Sequence, residues 1–149
     1  MERRELLTAG GALAAMMVAS QGRAEDMPHH HEHMGGAEWK PDASLVKAAA
    51  ECHRVGQLCL QHCLVLLGAG NSTVGNCAKS VTQMLALCDA LVTLASAGGK
   101  RLPDLARVAA LTCEDCEQAC REHEKEHAPC HDCAESCAAC IKECKRVAA

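Results

Sequence analysis

Apolar side chains recur along this chain at alternating steps of three and four, the spacing with which a helix turns one stripe toward a partner. The first stripe is Leu45, Ala48, Cys52, Val55, Cys59, His62 and Leu66, with Cys63 just beside it. Pro41 and Asp42 open this helix, and Gly68-Ala69-Gly70-Asn71 stops it after about Leu67. Thr73 or Ser72 is expected to cap a second helix with the stripe Val74, Cys77, Val81, Met84, Cys88, Leu91 and Ala95, ended by Gly98-Gly99. A third starts around Pro103-Asp104 and carries Ala106, Ala109, Cys113, Cys116 and Cys120, in a frame that continues into His123 and His127. Beyond Pro129 a fourth runs to about Val147 with Cys130, Cys133, Cys137, Cys140 and Cys144 inward and Asp132, Glu135, Lys142, Glu143, Lys145 and Arg146 mostly outward. Short connections force sequential helices to be antiparallel, so the pattern predicts an all-α, up-down-up-down four-helix bundle over residues 42–149 with a cysteine-lined core. The first two stripes also echo each other: Cys52, Cys59, Cys63 and Cys77, Met84, Cys88 repeat steps of seven and four.

Composition changes what such a core means. The chain has thirteen cysteines, no Phe or Tyr, and one tryptophan, Trp39, so the side chains that usually supply most buried area are absent and sulfur must help fill the interior. Cysteines three or four apart on a helix hold their Cβ atoms about 5 to 6 Å apart, whereas a disulfide wants about 3.8 Å. Neighbours along one seam therefore should not pair, and an odd count always leaves one thiol over.

Residues 1–24 read as an export signal: Arg3-Arg4, an apolar run from Leu6 to Ala19, and Gly22-Arg23-Ala24 as a small-x-small cleavage site. The run is too short and too rich in Gly and Ala to span a bilayer. Arg3-Arg4-Glu5-Leu6-Leu7 resembles the twin-arginine motif, whose route carries folded proteins and would let a thiol-rich core close before it meets an oxidising compartment. The expected location is the periplasm or an associated internal membrane compartment. Removing Arg3, Arg4 and Arg23 from the 15 basic residues, and Glu2 and Glu5 from the 19 acidic ones, leaves 12 and 17, a net charge of −5. That balance argues against nucleic acid or an anionic membrane as a partner. Residues 25–41, with Met27, His29, His30, His31, His33 and Met34, have no apolar period and read as a disordered His/Met-rich arm, either a solvated linker or a set of mobile metal ligands.

The antiparallel order decides which ends meet. His62, Cys63, Cys77, Cys120, His123, His127, Cys130 and His131 gather at one end of the bundle, and Leu45, Leu91, Leu94, Leu102, Leu105 and Val108 at the other, where Cys144 is the nearest thiol. One end is lined with soft ligands, the other plugged by aliphatic side chains. Metal is expected to pass through the first.

Buried charge must be neutralised, and this separates candidate metals. Four thiolates around Zn(II) keep a charge of minus two, so several such sites packed together repel. Cu(I) prefers few, soft ligands. Where each ion takes two thiolates and each thiolate bridges two ions, the ratio is one to one and the lattice is neutral; the thirteen cysteines would hold about thirteen ions. Iron-sulfur ligands usually sit on loops with a CxxCxxC core absent here. Zinc storage, a disulfide-stapled scaffold and a thiol catalyst are the other readings, the last disfavoured because catalysis uses one or two cysteines and a base.

The segments Cys59-Leu60-Gln61-His62-Cys63, Cys113-Glu114-Asp115-Cys116 with Cys120, the seam Cys130 to Cys144, and the closing Lys145-Arg146-Val147-Ala148-Ala149 resemble the bacterial copper storage proteins, above all their exported branch. The resemblance covers about residues 25–149. It implies that the cysteines bind many Cu(I) ions inside a bundle that assembles as a homotetramer, keeping copper for cuproenzymes such as membrane methane monooxygenase, with no catalysis of its own. A copper chaperone or detoxifying buffer with few, fast-exchanging ions is the alternative. Exported members carry methionines in the loop after the first-helix CxxxC, about where this chain has Leu66, Ala69 and Val74. Its core methionine is Met84, a gap filler or a ligand. His62, His123 and His127 are candidate ligands at the mouth, each also readable as an ordinary polar residue, and His53 is expected to face solvent.

Overall fold

A computed structural model describes residues 39–149; the export signal and most of the His/Met-rich arm lie outside the described residues. Helices α1 (Ala43–Gly68), α2 (Gly75–Ala97), α3 (Leu102–Arg121) and α4 (Ala128–Ala148) follow in order, with a 3-10 turn at Ser72–Val74. The helices form a square ring: α1 packs on α2 and α4, and α3 on α2 and α4, while the diagonal pairs keep their backbones apart and meet only through side chains. This is the up-down-up-down bundle the spacing predicts, and the column between the diagonals is where the inward side chains meet.

Local chemistry fixes the ends. Asp42 caps α1 by accepting from the Leu45 amide at 3.0 Å. Gly98 takes a left-handed φ of 66° to end α2, which an L side chain would resist. The second helix differs from expectation at its start. Asn71 is the capping side chain, accepting from the Thr73 amide at 3.1 Å, and the 3-10 turn intervenes before α2 begins at Gly75. Basic residues end α4, where they suit the helix dipole: Arg146 pairs with Asp42 at 2.6 Å, joining the last helix to the first, and Lys145 pairs with Glu114 of α3 at 2.8 Å.

Three expectations about phase and boundary are corrected. On α1 the buried stripe is Leu45, Ala49, Cys52, Val55, Gly56, Cys59 and Cys63, so Cys63 is fully buried while Ala48, His62 and Leu66 are half-buried. A straight helix drifts about 20° per heptad relative to a strict seven-residue repeat, and Cys63 lies eighteen residues from Leu45, or five turns of about 3.6 residues, which returns it to the same face. His53, expected in solvent, is half-buried. The third helix stops at Arg121, so His123 lies in a turn and His127, extended at φ −132° and ψ 100°, precedes α4. Pro129 sits in the first turn of α4, where its missing N–H leaves no helical bond unmade, so it marks the start of the next helix. Arg121 fastens the turn by pairing with Glu117, Glu124 and Glu135.

The aliphatic end is as expected but for one residue. Leu45, Leu91 and Leu102 are buried, Leu94 and Leu105 pack partly against them, and Val108 is instead 53% exposed on the outer face. Trp39 donates its indole N–H to the Ser96 carbonyl at 2.8 Å at this same end. The stretch Ser72–Ala97 is long and apolar enough, by length and composition alone, to cross a membrane. Asn76, Lys79, Gln83 and Asp89 nonetheless stud its exposed face, as on a bundle helix in water.

Candidate metal centre

All thirteen cysteines are fully buried and unpaired: Cys52, Cys59 and Cys63 from α1, Cys77 and Cys88 from α2, Cys113, Cys116 and Cys120 from α3, and Cys130, Cys133, Cys137, Cys140 and Cys144 from α4. Among the described residues no polar or charged residue is buried with them. The interior is apolar hydrocarbon at one end and thiol interleaved with Val55, Val74 and Val81 through the rest.

The thiols form four connected groups, each with its ligand atoms within 4.8 Å of one another. Nearest the mouth are Cys59, Cys63, Cys77 and Cys130; next come Cys59, Cys120 and Cys133, then Cys116, Cys133 and Cys137, and deepest Cys52, Cys88, Cys113 and Cys140, one from each helix. Cys59 and Cys133 each belong to two groups, and Cys52 lies 3.7 Å from Cys137, which joins the deepest group to the rest. Cys77 to Cys120 at 3.5 Å and Cys59 to Cys130 at 3.8 Å tie the helices across the mouth groups. Cys144 belongs to none of the four but lies 4.0 Å from Cys140. The result is one ladder of sulfur along the bundle axis.

Met84 is fully buried and its Sδ accepts from both Cys52 and Cys88 at 3.4 Å, which puts the thioether inside the ladder. The three imidazoles expected at the mouth do gather: His62 and His127 rings lie 4.8 Å apart and His123 and His127 rings 6.4 Å apart. The Nε2 atoms of His62 and His123 are buried without a hydrogen-bond partner. Their nitrogens do not join the four sulfur groups. Sequence spacing passed over Gly56, buried on α1; a glycine in the middle of a helix, facing its seam, was the available signal.

A donor set of free, buried sulfur with no buried polar or charged residue among the described residues fits Cu(I) and fits hard or octahedral ions poorly. In the metal-free protein mutual hydrogen bonding and burial split the thiols, raising some, such as Cys63, Cys88 and Cys130, and lowering others, such as Cys77 and Cys113. Burial, with the Cys77 sulfur beside it, pushes Cys63 up to about 11. At Cys130 a hydrogen bond with Cys59 acts downward, but one with Cys77 and burial outweigh it and push the thiol up to about 12. Hydrogen bonding to Cys113 likewise raises Cys88, while Cys113 itself is held down to about 6 by Cys137 and Cys140.

The sign of the pH dependence follows from the mouth pair. An unfolded thiol titrates near ~8.5, below the folded values of Cys63 and Cys130, so the folded state retains protons that the unfolded chain has released. Their contribution is complete below about pH 8.5 and is lost as pH climbs through about 11 and 12. Denaturant midpoints of the metal-free, reduced protein are expected to fall steadily above pH 9; midpoints that stay level to pH 11 would show that these thiols ionise as easily inside as outside.

Comparison with known proteins bears on the fold and the family. Residues 39–149 match the family model described as copper storage protein. Apo copper storage protein 3 from Bacillus subtilis has a similar fold, with a TM-score of 0.63 and 22% identity over 71% of this chain and 97% of that one. A Cu(I)-bound copper storage protein, BsCsp3, gives a TM-score of 0.63 and 21% identity over 70% and 95%. No curated protein matches. With 111 consecutive residues matched, spanning every helix and all thirteen cysteines, this chain belongs to the copper storage protein family.

Proposed function

We propose that this chain is a bulk store for Cu(I), holding about one ion per cysteine on thiolates inside the bundle and catalysing no reaction. The observation that carries the reading is the continuous ladder of fully buried, reduced thiols, in which shared members such as Cys59 and Cys133 are placed to bridge neighbouring ions. A chaperone needs one or two ligands near the surface, where a partner can reach them; a ladder running through the core suits accumulation. The export signal at residues 1–24 would deliver the protein, through the twin-arginine route, to the periplasm or an internal membrane compartment. There it would serve cuproenzymes such as methane monooxygenase, as a homotetramer. An anaerobic Cu(I) titration with ions counted against thiols tests the store, and saturation at a few ions per chain would replace it with a chaperone or buffer.

Copper would pass through the end that bears His62, His123 and His127. The opposite end is closed by Leu45, Leu91 and Leu102, whereas the mouth offers two imidazole nitrogens, Nε2 of His62 and of His123, with no hydrogen-bond partner. Imidazole binds Cu(I) less well than thiolate, which suits handover more than retention. The double replacement His123→Ala and His127→Ala is therefore expected to slow loading, or removal by a high-affinity chelator, while the total bound stays the same. Unchanged rates in both directions would make these residues part of a solvated turn, and a large fall in capacity would make them part of the store.

A further inference from the structure

Along α2 the two cysteines, Cys77 and Cys88, stand eleven residues apart, about 16 Å of helix. The sulfur between them is a thioether. Met84 occupies the slot that Cys59 holds in the matching seven-and-four spacing of α1, and its Sδ lies 3.4 Å from Cys52 on one side and 3.4 Å from Cys88 on the other. Both thiols belong to the deepest group, the one built from all four helices.

The neighbouring helix is shaped around this side chain. A Cβ on Gly56 would stand 2.5 Å from the Met84 methyl and 3.0 Å from Leu85 Cδ2. Gly56 is not at a positive φ and no turn needs it, so its helix-weakening freedom is explained by the space it leaves. Leucine would fill a core gap with less side-chain entropy lost than methionine. A flexible thioether seated against two thiols, in a slot cleared by a glycine, is arranged for its sulfur as well as its volume.

We propose that Met84 is a Cu(I) ligand of the deepest sulfur group, supplying a neutral donor alongside the thiolates of Cys52 and Cys88. The proposal rests on the copper-storage reading. Because a thioether carries no charge, its ligation leaves the one-to-one balance of ions and thiolates untouched; it changes the coordination of an ion, not the number held.

The test is selenium X-ray absorption on the full chain labelled with selenomethionine and loaded with Cu(I) without oxygen, with copper counted in the same sample. The parent protein is expected to show a copper neighbour at bonding distance from selenium. That signal should vanish in Met84→Leu, a volume-conserving swap that cores tolerate well, with the copper count unchanged. It should persist in the double variant Met27→Leu/Met34→Leu, which keeps the core as it is. A fully loaded parent with no selenium–copper neighbour, or a signal lost only in the Met27/Met34 variant, overturns the proposal and leaves Met84 a gap filler. A parent that takes up only a few ions overturns the storage reading itself.

Discussion

Titrated into the reduced protein without oxygen, Cu(I) is expected to bind until about thirteen ions are held per chain, one for each cysteine, and zinc in far smaller number. The reason is charge. No buried lysine, arginine or histidine stands among the described thiols to offset thiolate charge, so the metal must supply all of it. Singly charged ions each shared between bridging thiolates leave no residue of charge at one to one, and a lower filling would leave uncompensated thiolates or thiols still protonated. Four-coordinate Zn(II) leaves each site with net negative charge, and adjacent groups within one ladder could not all accept it. A count near four would mean that only isolated groups fill, one ion each, and the bridging lattice would be wrong. Equal capacity for zinc would break the charge argument outright.

Thermal unfolding of the fully loaded protein is expected more than ~20 °C above that of the metal-free form, at nearly unchanged helical circular dichroism. Buried cysteine side chains already fill the core without metal, so the helices do not wait for it. Each ion at a hundredfold excess over its dissociation constant would add ~2.7 kcal/mol if it bound the folded state alone. Unfolded thiols bind copper as well and subtract from this, yet groups such as Cys52, Cys88, Cys113 and Cys140 draw on four different helices and exist only when the bundle is folded. A surplus of about 5 kcal/mol suffices, since each moves the midpoint by about 4 °C in a domain of this size. An equal or lower midpoint would mean that loading needs the bundle to open, and a large gain in helix would mean that the metal-free form is not the bundle described above.

The four helices were legible because cysteine behaves as an apolar residue in a helical period; the seams at Cys113–Cys120 and Cys130–Cys144 are inward as read. What failed was the part that a repeat of fixed length cannot carry. Over five turns the heptad drifts off the true helical angle, and so Cys63 was set beside the stripe and His62 on it, the reverse of their burial. Extending the α3 frame through His123 and His127 up to Pro129 overran the helix, which stops at Arg121 in a turn fastened by that side chain, although the two imidazoles still reach the same end of the bundle through that turn. Which residues would be ligands followed from residue type. Which of them stand together did not, because contacts such as Cys52 with Cys137 or Cys59 with Cys130 depend on how two helices are shifted and rotated against each other. Met84 illustrates the same limit: its seam position was readable, while its approach to two thiols and the clearance at Gly56 are properties of the packed pair α1 and α2.

The lone indole, held to the Ser96 carbonyl at the plugged end, gives the molecule an unusual optical property. With no tyrosine or phenylalanine anywhere in the chain, the near-ultraviolet is almost dark apart from Trp39, so absorption from copper–thiolate charge transfer would rise on a nearly blank background. The fluorophore sits outside the sulfur column, at the far end from His62, His123 and His127, and is 70% exposed. Its emission would thus stay constant while the outer groups fill and would begin to quench only when copper reached the innermost ones, turning one residue into a clock for the order in which the ladder is occupied.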